Sequence, residues 1–309
     1  MTVSLLLLCE FTSAQSFAPE YTLHVDVSEV RVEFTVSDLD NRPIHELSSS
    51  DLQLLVDGSP VNNTKFRGES NLPIRLVLLV DSSSSVRGIF AYEKEKALEF
   101  LKEIIRPDSD QVMIQRFDNV VHVVQPFTTD PVLAVAALSK LPASYGVTSL
   151  YDAVYTASEQ LMAQGDNRLA RRAIILFSDG EDNNSFHSLE DAIEMAQLAN
   201  LVVYAINVQA LFHQKHVRHS DHSERRGDVT MKRIAESTGG VEYEAGTDLH
   251  AAFQEIEHAL RSVYSLAFYA RFASGEGFHS VRIETTKNLK VRCRSGYWVT
   301  ANRRDWTEP

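Results

Sequence analysis

"LVLLVDSSSSV", residues 76–86, runs an apolar stretch straight into an aspartate and four consecutive serines. The full run "IRLVLLV" (74–80) has the composition of a strand buried on both faces, as in parallel sheets. Hydroxyls at the end of such a strand are either a solvated turn or a set of ligands. The neighbouring segments distinguish these readings.

Downstream, apolar strands alternate with amphipathic helices. "YEKEKALEFLKEII" repeats its apolar positions at helical spacing, and "DQVMIQRF" and "VVHVVQPF" read as strands. "PVLAVAALSKL" and "SLYDAVYTASEQLMAQ" are helices, and "RRAIILFS" is a strand. The helix "LEDAIEMAQLAN", the strand "LVVYAINV" and the helices "DVTMKRIAESTGG" and "DLHAAFQEIEHALRSV" complete the series. This order predicts an α/β fold over about 72–263: a doubly wound, mostly parallel, Rossmann-like sheet covered on both faces. The ends differ. "LHVDVSEVRVEFTVSD" alternates apolar and polar residues, and turns follow at "LDNRP" and "VDGSPVNN". "YSLAFYARF", "HSVRIETT" and "LKVRCRSGYWV" read as three more strands. The expectation is that the segments 20–70 and 264–301 pair into one β-sandwich around the inserted α/β domain. Two separate appendages would give the same pattern.

Hydrophobic residues make up 44% of the 309 and charged residues 23%, which describes a globular chain with a large core. A formal net charge of −12, with no basic stripe, argues against binding nucleic acid or an anionic membrane surface. Cys9 and Cys293 cannot build a disulfide framework, and Cys293 reads as a packed side chain. No stretch reaches the ~20 apolar residues of a membrane span. "MTVSLLLLCEFTSAQS" has the apolar centre of a secretory signal and a small-residue cleavage site at Thr12-Ser13-Ala14, without the usual basic flank. A signal peptide over 1–15, and a secreted or periplasmic, cell-envelope location, are expected.

In open α/β sheets, ligands lie at the carboxyl ends of the strands. Three polar loops fall there. If the first leaves its strand extended, Asp81, Ser83 and Ser85 project to one side. In the second, "YGVTSLYDA", Thr148 stands at a helix start, where it also reads as a plain N-cap. In the third, "LFSDGEDNN", Asp179 directly follows a buried strand, where Asp-Gly alone is an ordinary turn. Together these two carboxylates and three hydroxyls form an oxygen-only set of charge −2. That set suits Mg²⁺, Mn²⁺ or Ca²⁺ rather than zinc, which favours His and Cys.

The D-x-S-x-S set at Asp81, the threonine in G-x-T-S-L-Y-D-A and S-D-G-E-D after a strand resemble a von Willebrand factor type A domain. These positions form that family's metal-ion-dependent adhesion site, and all five match. The resemblance implies that Ser83 and Ser85 bind the metal directly and Thr148 does so in the ligand-competent state. It implies that Asp81 and Asp179 act mainly through water. "VEFTVSDLDNRPIHELSSSDLQLLVDG" and "KVRCRSGYWV" are similar to flanks of bacterial secreted proteins called VWFA-related, a subgroup described from acidobacteria. The implied function is divalent-cation-dependent adhesion: a protein ligand supplies an Asp or Glu carboxylate to the metal.

Two other classes compete. An aspartate ending a first α/β strand could be the nucleophile of a metal-dependent, phosphatase-like hydrolase, but Ser83 stands where such enzymes carry a second acid. Neither a G-x-S-x-G elbow nor a phosphate-cradling glycine loop occurs, so no enzyme is expected. The other class is a structural scaffold for envelope assembly. His213, His216, His219 and His222 could chelate a second metal, although their segment lacks apolar periodicity and reads as an exposed loop. The "RGD" at 226–228 is a chance-level tripeptide, and Asp228 reads as the cap of the helix that follows. Oligomeric state has no sequence signal.

Overall fold

The structure is a computed structural model that describes residues 27–165, 170–207, 222–243, 248–271 and 276–299. The signal segment, His213, His216, His219 and the side chain of His222 lie outside the described residues.

The described residues open with β1 (Val27–Ser37), β2 (Leu52–Val56), β3 (Ser59–Pro60) and β4 (Lys65–Ser70). It then enters the α/β unit through β5 (Ile74–Asp81) and α1 (Phe90–Ile104). The hairpin of β6 (Gln111–Phe117) and β7 (Val121–Thr128) leads to α2 (Pro131–Ser139) and α3 (Leu150–Ala163). Next come β8 (Arg171–Ser178), α4 (Leu189–Leu198), β9 (Val202–Asn207) and α5 (His222–Thr238). The two-residue β10 (Glu242–Tyr243) and α6 (Leu249–Arg261) close the unit. The chain returns through β11 (Val263–Arg271), β12 (Gly277–Thr285), β13 (Lys290–Cys293) and β14 (Gly296–Val299).

The central sheet has six strands in the order β10-β9-β8-β5-β6-β7, all parallel except the β6–β7 hairpin pair. Successive side chains of a strand point to opposite faces. Accordingly Leu76, Leu78 and Val80 of β5 pack with α1, α2 and α6, while Val77 and Leu79 pack with α3, α4 and α5. Strands buried on both faces need apolar residues at every position, which is why β5 and β8 carry almost no polar alternation.

The two ends of the chain form a β-sandwich. One sheet is β13-β1-β11-β4 and the other β14-β12-β2-β3. Alternate residues of β1 (Val30, Val32, Phe34 and Val36) face a core shared with Tyr264, Leu266 and Phe268 of β11 and Val281 and Ile283 of β12. "LKVRCRSGYWV" is two strands, not one. It crosses between the sheets at Arg294-Ser295, where Ser295 N–H donates to the Ser237 carbonyl and Arg294 donates to the carbonyls of Gln197 and Arg31. Those contacts also dock the sandwich on α4 and α5, helped by an ion pair between Glu33 of β1 and Arg171 of β8. Cys293 is half-buried, and burial pushes its thiol up to about 11. No described helix is long and apolar enough to cross a membrane.

Candidate metal centre

The carboxyl ends of β5 and β8, adjacent parallel strands, bring Asp81 and Asp179 to one edge of the sheet. The serine row does not leave β5 extended. Asp81 Oδ1 accepts the Ser83 amide at 2.9 Å, an aspartate-capped turn that folds the loop back over its own strand end. The turn still joins the hydroxyls: Ser83 Oγ and Ser85 Oγ lie 3.0 Å apart. Ser83 is buried and Ser85 exposed, so the pair leads from the interior to the surface.

The other Asp81 oxygen, Oδ2, accepts from Ser178 Oγ at 2.8 Å, and that hydroxyl in turn accepts the Gly180 amide at 3.0 Å. Ser178 therefore ties the two aspartate loops together. It stood in the quoted "LFSDGEDNN" but gave no signal apart from being a serine at a strand end. Asp179 Oδ1 accepts the Glu181 amide at 3.1 Å, and the Ser85 hydroxyl is near enough to favour the charged form of this carboxylate.

Close backbone contact fixes the Asp179 loop. Gly180 has φ +78°, and a Cβ there would sit 2.3 Å from the Gly227 carbonyl oxygen. A Cβ on Gly227 would in turn sit 2.2 Å from the Asp179 carbonyl oxygen. Gly227 is thus buried within α5 against the site, and the 226–228 tripeptide is not presented on a loop. Asp228 lies inside α5 and accepts from Asn207 Nδ2 at 2.6 Å; it does not cap the helix.

Thr148 sits one residue before the α3 cap position, which Ser149 occupies, so it is not the cap. Its loop is held from both sides. Ser84 N–H donates to the Gly146 carbonyl at 3.0 Å, while the Thr148 amide donates to Asn183 Oδ1 at 2.9 Å. Gly146 packs closely here: a Cβ would lie 2.9 Å from Asn119 Oδ1 and 3.2 Å from Asp118 Cβ. Thr148 itself is buried. Beyond it, Asp152 accepts the Phe186 and His187 amides, and His187 Nδ1 stands 2.7 Å from Asp152 Oδ1 while its ring stacks on Tyr155. This clamp leaves Phe186 projecting into solvent, 96% exposed. Tyr145, also exposed, lies under the Arg87 guanidinium.

Electrostatics sets this edge apart. Asp81 is fully buried, and burial together with repulsion from Asp179 raises its pKa to about 7. Burial also raises Asp179, against the Ser85 hydroxyl and the Glu181 amide. A third carboxylate, Glu93 of α1, is fully buried, and burial plus the charges of Asp81 and Asp179 pushes it well above the usual range. Sequence reading missed Glu93. Its signal was a single acid on the apolar stripe of α1, among Phe90, Ala97, Leu101 and Ile104.

Asp179 Oδ2 and both Glu93 oxygens are buried without a hydrogen-bond partner. Buried carboxylate oxygens lacking donors call for a proton, ordered water or a cation, and as hard oxygen donors these residues fit a divalent ion. Among the described residues, no three His, Cys, Asp or Glu side chains converge closely enough to hold an ion by themselves. The hydroxyls are therefore needed to complete a donor set.

Residues 76–181 match the family model of the von Willebrand factor type A domain. No curated protein sequence matches the chain. Among solved structures, a conserved hypothetical protein BatB from Bacteroides thetaiotaomicron is similar over 60% of this chain and 98% of its own, with 18% identity and a TM-score of 0.47. Manganese-loaded TRAP from Plasmodium vivax covers 76% of this chain and 98% of its own, with 17% identity and a TM-score of 0.46. Proximal thread matrix protein 1 from the mussel byssus, with a zinc-occupied MIDAS motif, covers 62% and 49%, with 13% identity and a TM-score of 0.47.

Proposed function

We propose that the von Willebrand factor type A domain carried by this chain is a divalent-cation-dependent protein-binding module of an exported protein. Asp81, Ser83, Ser85, Thr148 and Asp179 would hold Mg²⁺, or Mn²⁺ or Ca²⁺ in its place. One observation carries the reading. Two buried carboxylates and a chain of hydroxyls meet at adjacent strand ends, with an Asp179 oxygen left without a donor. When bound, the cation would supply Lewis-acid attraction for a carboxylate oxygen of a partner. The residues do the rest. Ser83 and Ser85 offer neutral oxygens, so the donor set stays weakly charged and an incoming carboxylate is not repelled outright. Asp81 and Asp179 balance the charge from below.

Around this edge, Tyr145, Val147 and Phe186 are exposed apolar side chains on loops that the site itself holds in place. They suit a partner whose acidic residue is flanked by apolar ones. The Ser83 and Ser85 hydroxyls bond to one another instead of to a histidine, an arrangement that favours ligation over nucleophilic attack. The alternatives, a phosphatase-like enzyme and a structural scaffold, have no such support.

The test is calorimetric titration of Mn²⁺ into the wild type and into Ser83→Ala with Ser85→Ala. Binding should be lost in the double variant while circular dichroism is unchanged. Unchanged affinity would refute the assignment. Partner capture from an envelope fraction should then require the cation and fail with EDTA and in Thr148→Ala.

A further inference from the structure

Glu93 is the feature that the adhesion site leaves unexplained. It projects from the first turn of α1, the helix that directly follows the serine loop, on the face that packs against the central sheet. It is 0% exposed, and neither carboxylate oxygen has a hydrogen-bond partner. The Asp81 amide is near enough to favour the charged form but closes no hydrogen bond to it. The main electrostatic influences on Glu93 are Asp81 and Asp179, both repulsive, and no cationic side chain is among them. A helix that needed only packing here would carry an apolar side chain, as its other buried positions (Phe90, Ala97, Phe100, Leu101 and Ile104) do. A buried acid without a donor or a counter-charge either keeps its proton or is balanced by positive charge from elsewhere, and beside a cation site the second course is open to Glu93.

We propose that Glu93 is a third acidic member of the cation site, acting from outside the ligand sphere. This inference rests on the proposed cation site. The three carboxylates do not converge on one point, so Glu93 acts by its charge and through water rather than as a direct ligand. Charge counting gives its effect. With Asp81 and Asp179 alone, a dication is neutralised. Ionised, with its proton released as the cation binds, Glu93 takes the loaded site to a net −1 before any partner arrives. It therefore strengthens retention of the cation and weakens that cation's pull on an incoming carboxylate. Glu93 sets how tightly the module grips acidic ligands once loaded.

Two titrations on the full chain separate this from a packing role. In the first, Mn²⁺ is titrated into the wild type, Glu93→Gln, Glu93→Asp and the Ser83→Ala/Ser85→Ala control. Glu93→Gln should bind Mn²⁺ at least ~10-fold more weakly, whereas Glu93→Asp, which keeps the charge, should stay close to wild type. In the second, acetate stands in for the partner's carboxylate and is titrated into Mn²⁺-loaded protein, followed by the loss of water-proton relaxivity. Loaded Glu93→Gln should bind acetate more tightly than the wild type. A packing defect would weaken both titrations together, and that result would overturn the proposal. So would wild-type Mn²⁺ affinity in Glu93→Gln while the serine control has lost binding. If the serine control itself binds normally, the cation site fails instead. Should Glu93→Gln not fold, wild-type protein ¹³C-labelled at glutamate carboxyls gives the answer. Substoichiometric Mn²⁺ should broaden one glutamate carboxyl signal ahead of all others, and uniform broadening would overturn the proposal.

Discussion

Asp81 makes a prediction that links stability, pH and cation. In the metal-free protein its pKa is about 7, against 3.8 for an ordinary aspartate, because burial and the neighbouring Asp179 charge disfavour ionisation. The native state therefore holds a proton that the unfolded chain has released between these values. Asp81's contribution to stability is fully present below pH ~4, declines as pH rises, and is gone above ~7. One retained proton is worth about 1.4 kcal/mol per pH unit, so this group alone costs at most ~4 kcal/mol across its window and ~2–3 kcal/mol between pH ~5 and ~7. A divalent cation opposes the loss by favouring the charged carboxylate, and at ~100 times its dissociation constant it adds about 2.7 kcal/mol. The assay is urea denaturation of EDTA-treated protein at pH 5, 6, 7 and 8, repeated with saturating Mg²⁺. Asp81→Asn serves as a reference that subtracts the titrating groups outside the site, so the difference reports Asp81 together with its coupling to Asp179 and Glu93. Relative to that reference, the wild type should lose stability with rising pH in EDTA and lose less with Mg²⁺. Parallel curves for the two proteins, unaffected by Mg²⁺, would refute both the buried-charge account and the cation site.

Two further predictions follow from packing. Gly180→Ala places a Cβ 2.3 Å from the Gly227 carbonyl at a positive φ, so it should cost at least ~2 kcal/mol in urea denaturation and weaken Mn²⁺ binding through the displaced Asp179 loop. At the opposite edge of the sheet, Arg261 of α6 holds the buried Asp110 with two bonds of 2.5 and 3.0 Å and also donates to the Ile104 carbonyl. Burial alone would raise Asp110, but Arg261 and the Ile74 and Arg106 amides outweigh it and hold the carboxyl low. Arg261→Ala should cost ~3–5 kcal/mol, and adding Asp110→Ala should cost less than the sum of the two, as a double-mutant cycle would show.

What the sequence disclosed depended on how local each signal was. The buried strands were legible because β5 and β8 must be apolar on both faces, and β1 because its period of two matches one buried face. Asp81, Ser83 and Ser85 stood out because a strand end and a hydroxyl row are adjacent in the chain. The turn that joins them was not visible, since it depends on Asp81 Oδ1 accepting an amide where extended backbone was expected. Arg261 and Asp110 are separated by 151 positions, and nothing in either segment marks the partner. Capping is a local rule, so a plain cap was the alternative to a ligand role for Thr148 and the reading given to Asp228. The structure places Ser149 at the α3 cap position and starts α5 before Asp228.

Glu93 belongs to neither group. It is local enough to see, an acid at a position where helical periodicity calls for an apolar side chain, but an amphipathic pattern tolerates one exception and so hides it. Only burial and the lack of any donor turn that exception into a question about charge. The same reasoning applies across the site. Hydroxyls alone would be a turn, and one buried aspartate could be neutralised by a proton. Three buried carboxylates, all raised by burial and two of them also by neighbouring acidic charge, stand beside a hydroxyl pair that reaches the surface, so each must keep a proton or find a balancing positive charge.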